Sequence, residues 1–184
     1  LVRDDQLVEG EGVLVEDGRI VEVGSGLSAD TEETLEGTLL PGAIDLQVNG
    51  AGGRSVEEAA PDALEVVAQT VRAGGATAFL PTLITAPFDT LLNQVRAVAS
   101  WCTTYDGPGA RPLGLHVEGP FLEVAGAHDA EHFTDPTPER VEALLEAAAG
   151  ALRLVTLAPS RPGAVEATER LLSAGVQVSI GHVA

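Results

Sequence analysis

The sequence predicts an α/β fold: a partial (β/α)8 TIM-type barrel, about five of its eight β/α strands, preceded by a small β-sandwich segment. Two observations carry that prediction. From Pro41 onward, apolar strand-like runs alternate with amphipathic helical stretches, and strict alternation of this kind implies a parallel sheet, open or closed into a barrel. Strand after strand, the unusual polar residues fall at the C-terminal end: Gln47 and Asn49, Thr82, Glu118, Ser160, His182. That is the end at which a barrel builds its site. A doubly wound sheet would share this polarity, but it usually opens with a glycine-rich turn leading straight into a helix. Here Asn49-Gly50-Ala51-Gly52-Gly53 runs into Arg54-Ser55-Val56, and the helix comes only later.

Taken in order, residues 1–40 read as a small β unit. Gly12 to Glu16 and Arg19 to Gly24 form strands around an Asp17-Gly18 hairpin turn. Residues 41–184 read as the N-terminal part of a barrel. Ala43 to Asn49 is its first strand, and Pro61 to Ala73 a helix with Leu64, Val67, Ala68 and Val71 on one stripe. Thr77 to Pro81 is the next strand, followed by a helix from about Pro87 to Trp101, with proline at its first turn. The strand ending at Glu118, a loop containing Gly126-Ala127-His128 and a helix from about Pro138 to Ala149 follow. Leu152 to Leu157, a helix from Gly163 to Ala174 and a strand from Val176 to His182 complete the pattern.

The stretch Gly114-Leu115-His116-Val117-Glu118-Gly119-Pro120-Phe121 carries the chemistry. An apolar strand that takes a histidine and a carboxylate into its own end pays several kcal/mol unless those groups are paired or bound to a metal. His116 and Glu118 share a face at period two; the alternative is a carboxylate salt-bridged at a strand end. On the first strand Ile44, Leu46 and Val48 share one face, and Asp45, Gln47 and Asn49 the other. Three polar side chains on a strand covered on both sides are expected to line a wet or ligand-filled interior, against the alternative of a strand at the sheet edge.

Composition excludes several functions. The formal charge is −18, from 28 acidic residues against 10 arginines and no lysine, which argues against phosphate-mediated nucleic-acid binding and against lysine Schiff-base chemistry. Any anionic substrate requires arginines and backbone amides gathered locally. No apolar run is long enough to span a membrane, and with no basic segment leading an apolar one at the N-terminus the expected location is the cytoplasm. The single Cys102 reads as a residue near a helix end, not a nucleophile.

These segments resemble the amidohydrolase superfamily and, within it, the N-acetylglucosamine-6-phosphate deacetylase family. The resemblance rests on Leu40 to Gly50, Phe79-Leu80-Pro81-Thr82-Leu83-Ile84-Thr85, Gly114 to Phe121, Gly126-Ala127-His128, Val155 to Pro159 and Ala174 to His182, which arrive in family order. It implies a metal-dependent hydrolase barrel, of which residues 41–184 are the N-terminal part, with a small β-sandwich domain to which residues 1–40 belong; the whole hydrolyses the acetamide of N-acetylglucosamine 6-phosphate to glucosamine 6-phosphate and acetate, in amino-sugar catabolism. It implies one divalent metal ion, zinc or iron, with Glu118 and His182 as ligands. Gln47 and Asn49 stand where many amidohydrolases carry His-x-His for a second metal, and amides are poor ligands for it. His128 and Ala127 match substrate-binding positions, to which Gln47 and Asn49 are added. His116 is expected to orient Glu118 from behind, against the alternative of direct ligation, and His132 to be a surface loop residue.

The third ligand, the aspartate acting as general base, and the phosphate-binding residues are expected beyond Ala184. The 184 residues alone are expected to be a truncated, inactive portion, and the complete protein a homodimer acting on a small amino-sugar phosphate, with no nucleic-acid or membrane partner. Two other readings are weighed: a non-catalytic half-barrel acting as a binding or assembly module, and an amidohydrolase acting on another cyclic amide or purine. The latter calls for histidines at positions 47 and 49, which are absent.

Overall fold

The computed structural model describes residues 1–3 and 6–184. It divides into two compact units, Leu1–Gly42 and Ala43–Ala184. In the first, β1 (Val2–Arg3) pairs antiparallel with β2 (Gln6–Leu7), and β3 (Gly12–Glu16) with β4 (Arg19–Gly24). Asp17 and Gly18 connect β3 to β4 with φ of 49° and 73°. Both are positive, which is the turn that an Asp-Gly pair favours because its twist matches that of the strands.

The second unit is built on β5 (Ala43–Val48), then a short hairpin β6 (Gly50–Ala51) and β7 (Arg54–Ser55) with a single 3-10 turn Val56–Glu58. It continues with α1 (Pro61–Ala73), β8 (Ala76–Leu83), α2 (Phe88–Thr104), β9 (Arg111–Pro112), β10 (Leu115–Glu118), α3 (Pro138–Ala148), β11 (Leu152–Leu157), α4 (Ala164–Ser173) and β12 (Gln177–Ile180). The sheet runs β12-β11-β10-β8-β5, with β9 also against β8, and every pairing within it is parallel. It is the curled sheet of a partial TIM-type barrel with its helices. The sequence does not single out the β6–β7 hairpin. Its 3-10 turn is held by a capping box in which Ser55 and Glu58 satisfy each other's backbone donors.

Each helix lays one stripe on the sheet: Leu64 and Val67 from α1, Leu91, Val95 and Val98 from α2, Val141 and Leu144 from α3, Ala167 and Leu171 from α4. They meet Phe79, Leu83, Leu115, Val117, Val155 and Leu157 in one cluster, these six strand residues being at most 1% exposed. Trp101 packs on Tyr105 with ring centroids 4.5 Å apart. Cys102 lies in the last turns of α2, its Sγ 3.6 Å from the Gly114 carbonyl. Burial pushes its thiol up to about 12, which removes the thiolate a nucleophile needs.

Of the polar face read for the first strand, Gln47 turns to the Glu118 carboxylate, and the alternative of a strand at the sheet edge describes the rest. β5 is a terminal strand of the sheet, with Ile44 56% and Leu46 57% exposed. Its alternation is broken as well, since Asp45 pairs with Phe79 but Val48 with Pro81, so three steps on β5 match two on β8. Pro81 has no N–H to give the ladder, and the Val48 N–H donates to the Thr82 hydroxyl at 3.1 Å. Asp45 stays exposed and accepts from the Gln47 N–H at 3.1 Å.

Core truncation provides a check. Phe79→Ala removes a fully buried ring and is expected to lower stability by about 3–5 kcal/mol, whereas Leu172→Ala, at a half-exposed position of α4, should change it by less than about 0.5 kcal/mol. Urea denaturation of both variants, followed through the single tryptophan, measures the difference.

Candidate metal centre

Glu118 ends β10 with its side chain 11% exposed. The backbone then turns at Gly119, whose φ is +84°, into a cis peptide to Pro120. A Cβ at position 119 would stand 2.3 Å from Thr85 Oγ1. Glycine there is what lets Thr85 approach, and Thr85 in turn holds a histidine.

Three groups converge on the carboxylate. Gln47 Nε2 donates to Glu118 Oε2 at 2.8 Å, His182 Nε2 lies 3.1 Å from Oε1, and His128 Nε2 lies 3.7 Å from Oε2. The two imidazoles meet edge to face with centroids 4.6 Å apart. Glu118, His128 and His182 form a group whose potential ligand atoms all lie within 4.8 Å of one another. His182 holds a positive φ of 53°, the kind of backbone strain that clusters at functional positions.

Hydrogen-bond partners assign the protons of the two rings. His182 Nδ1 lies 2.8 Å from the Val124 carbonyl, which only accepts, so Nδ1 carries hydrogen, and in this tautomer the ring turns its Nε2 lone pair toward Glu118. Two acceptors then face each other at 3.1 Å, an arrangement stable only with a cation or proton between them. His128 has the opposite tautomer. The Thr85 N–H donates to its Nδ1 at 3.4 Å, with Thr85 Oγ1 2.9 Å from the same nitrogen, which leaves Nε2–H pointing into the cluster. Burial holds the His128 pKa below the ordinary histidine value, against the pull of the Glu118 carboxylate, so this ring is a neutral donor.

Of the other sequence-predicted residues, Asn49 does not reach the cluster. Its Nδ2 donates to the Thr82 carbonyl at 3.5 Å. Ala127 is exposed in the turn that delivers His128, whose own N–H closes on the Ala125 carbonyl at 2.9 Å. His132, read as a surface loop residue, is the last residue of a 3-10 turn (Ala130–His132) and half-buried, with Nε2 3.5 Å from Glu131.

His116 does not orient Glu118 directly. It is 1% exposed, with Nδ1 3.2 Å from Thr82 Oγ1 and Nε2 2.8 Å from Thr156 Oγ1. Residues two apart on one strand are about 7 Å apart, so its partners come from the neighbouring strands β8 and β11, where Thr82 lies beside His116 and Thr156 beside Glu118. Sequence reasoning passed over Thr85 and Thr156 as site supports. Their signal is a hydroxyl at the polar end of a buried strand, which requires a partner there.

The buried histidines make stability depend on pH. His116 and His128 are both held below the ordinary value by burial, so the unfolded chain binds more protons in the window just under pH 6.5. The stabilisation is present above pH 6.5 and is lost as the pH falls toward the folded values. In chelator-treated protein the urea midpoint should drop between pH 7.5 and pH 5.5; a midpoint unchanged or raised over that interval would show that these rings are not kept neutral by the fold.

No family model matches the chain. An N-acetylgalactosamine-6-phosphate deacetylase of Escherichia coli O157:H7 is 32% identical over 186 residues, covering 100% of this chain and 49% of that protein. An N-acetylglucosamine-6-phosphate deacetylase of Homo sapiens is 34% identical over 98% of this chain and 44% of its own length. Among solved structures, the N-acetyl-D-glucosamine-6-phosphate deacetylase of Mycobacterium smegmatis aligns with a TM-score of 0.85 at 32% identity, over 94% of this chain and 46% of that one. The chain thus spans about half the length of the curated relatives it matches. Over that half, with the sequence segments and the parallel sheet in agreement, the chain is similar to the N-acetylglucosamine-6-phosphate deacetylases.

Proposed function

We propose that this chain carries part of the active site of a metal-dependent deacetylase that hydrolyses the acetamide of N-acetylglucosamine 6-phosphate to glucosamine 6-phosphate and acetate. The observation that supports it best is the facing pair of acceptors, Glu118 Oε1 and His182 Nε2 at 3.1 Å, with the His182 proton committed to Val124 on the other side of the ring. A carboxylate and an imidazole suit zinc or iron. When bound, such an ion supplies Lewis-acid activation of water and of the amide carbonyl.

The chain's own residues have separate tasks. Glu118 and His182 would hold the ion. Gln47 gives its amide hydrogens to Glu118 and fixes the carboxylate, so it faces the site as a donor and not as a ligand. Asn49 is turned to Thr82. The proposal therefore has one metal per chain. His128, neutral with Nε2–H directed inward, is placed to donate to the amide oxygen as charge develops there, with the exposed Ala127 turn at its side. His116, bound to Thr82 and Thr156, holds three strands in register beneath the cluster.

Among the described residues the cluster contains no second carboxylate, and so no general base beyond its own ligand. The remaining ligand and base are assigned to residues outside these 184. Residues 1–40, as part of a small β-sandwich, belong to the same proposal. So does a cytoplasmic location, in keeping with an unpaired cysteine and the absence, among the described residues, of a helix long and apolar enough to cross a membrane.

Two measurements test this reading. The 184-residue chain, verified by mass, should release no acetate from N-acetylglucosamine 6-phosphate above the metal-in-buffer background; turnover above it would place the base among these residues. Zinc should bind at one site per chain and be removed by dialysis against chelator, because two protein ligands leave the rest of the coordination sphere to water. Glu118→Gln should weaken that binding by at least about ten-fold. Zinc that survives the chelator at one per chain would make His128 a third ligand, and two tightly held ions would overturn the one-metal assignment.

A further inference from the structure

At the opposite end of the sheet from Glu118 lies a cavity of about 370 Å³ that the deacetylase chemistry does not use. Arg111 at the start of β9 and Arg153 at the start of β11 both line it, together with Gly114 and Tyr105. Among the described residues no carboxylate does, although acidic residues outnumber arginines 28 to 10 in the chain. Arg111 is exposed, and its side chain makes no hydrogen bond or ion pair among the described residues. The cavity is therefore a local concentration of positive charge in a strongly acidic protein.

Arg153 is also pre-positioned. Its Nη1 donates to the Gly150 carbonyl at 2.8 Å and the Leu152 carbonyl at 3.1 Å, which pins the guanidinium and leaves the Nε–Nη2 edge without a protein partner among the described residues. That edge is the two-pronged donor that matches two oxygens of one anion. The side chain reaches its position by lying across Gly114, where a Cβ would stand 2.5 Å from Arg153 Cγ and 2.4 Å from the Ala151 carbonyl, at a φ of +134°. Capping the carbonyls after α3 accounts for the Nη1 bonds. It does not account for a second, unpaired arginine in the same acid-free cavity.

We infer that this cavity binds a phosphate-bearing small molecule, the Arg153 Nε–Nη2 edge and the Arg111 guanidinium sharing the phosphate oxygens. Two fixed charges of +1 are matched by one dianion, and the volume beyond it accommodates a group of monosaccharide size. The site lies about 10 Å along β11 from Thr156, the residue beside Glu118, given three steps at about 3.3 Å each. It is separate from the candidate metal centre, and the inference does not rest on the proposed deacetylation.

The test titrates the chelator-treated 184-residue chain with inorganic phosphate, and in parallel with glucose 6-phosphate and glucose, following backbone amides by NMR and Trp101 fluorescence through its contact with Tyr105. The expected result is saturable binding of phosphate and of glucose 6-phosphate, none of glucose, with amide shifts centred on Gly114, Gly150 and Arg153. Tighter binding of the sugar phosphate than of phosphate would identify an ester as the ligand; equal binding would identify the free ion. Arg111→Gln, which removes no hydrogen bond of the fold, and Arg153→Gln should each weaken binding by about ten-fold or more, as for a hydrogen bond to a charged group. Arg96→Gln, on the exposed side of α2, removes the same charge elsewhere and should leave binding unchanged. Absence of saturable binding, equal weakening by Arg96→Gln, or shifts confined to the loop after Glu118 would each overturn the inference.

Discussion

The half of this molecule that can be read chemically depends on one constraint: a carboxylate has been carried to the buried end of a parallel strand and must be satisfied there. Glu118 sits between the side chains of a strand on one side and a loop on the other, with Gln47, His128 and His182 drawn in from β5, from the loop after β10 and from just beyond β12. Those residues are 71, 10 and 64 positions away in sequence. Only a sheet in which all strands run the same way delivers them to one end. The uniform orientation of the strands is thus a requirement of the site as much as a result of the helical crossovers.

Supporting that carboxylate is a layer of buried hydroxyls and a neutral ring. Thr82, His116 and Thr156 are each at most 6% exposed and bond to one another across β8, β10 and β11. Polar groups at such depth are costly unless fully partnered, and here the partnering spans neighbouring strands. The layer therefore ties strand register to the position of Glu118. A slip of one residue would place Val117 where Glu118 stands.

Most of the fold was legible because its signals are periodic. The boundaries of α1 and β11 agree with the reading to the residue, since Pro61 opens the helix and a run of β-branched and leucine residues defines the strand. The break in β5 was not legible, because alternation alone cannot reveal that Pro81, on a different strand, interrupts the ladder. At the site, the residues that bear charge stood out in the sequence. The residues that fix their tautomers did not. Thr85 is one hydroxyl among many until the fold sets it 2.9 Å from His128, and the Val124 carbonyl belongs to a backbone group that no side-chain pattern records.

The two ends of the sheet divide the charge between them. At the C-terminal end, carboxylate and imidazole offer lone pairs to a cation; at the N-terminal end, Arg111 and Arg153 offer hydrogens to an anion. Each is a small local departure from the field of a chain with a formal charge of −18. The departures arise differently. The acidic site exists because a strand's side chain is enclosed, whereas the basic one exists because Gly114 lacks a side chain and so lets Arg153 lie against the backbone. One glycine beside a strand end thus decides where a guanidinium is held. A Gly114→Ala change would strain the φ of +134° and displace Arg153 together, so at this position backbone conformation and electrostatics cannot be altered separately.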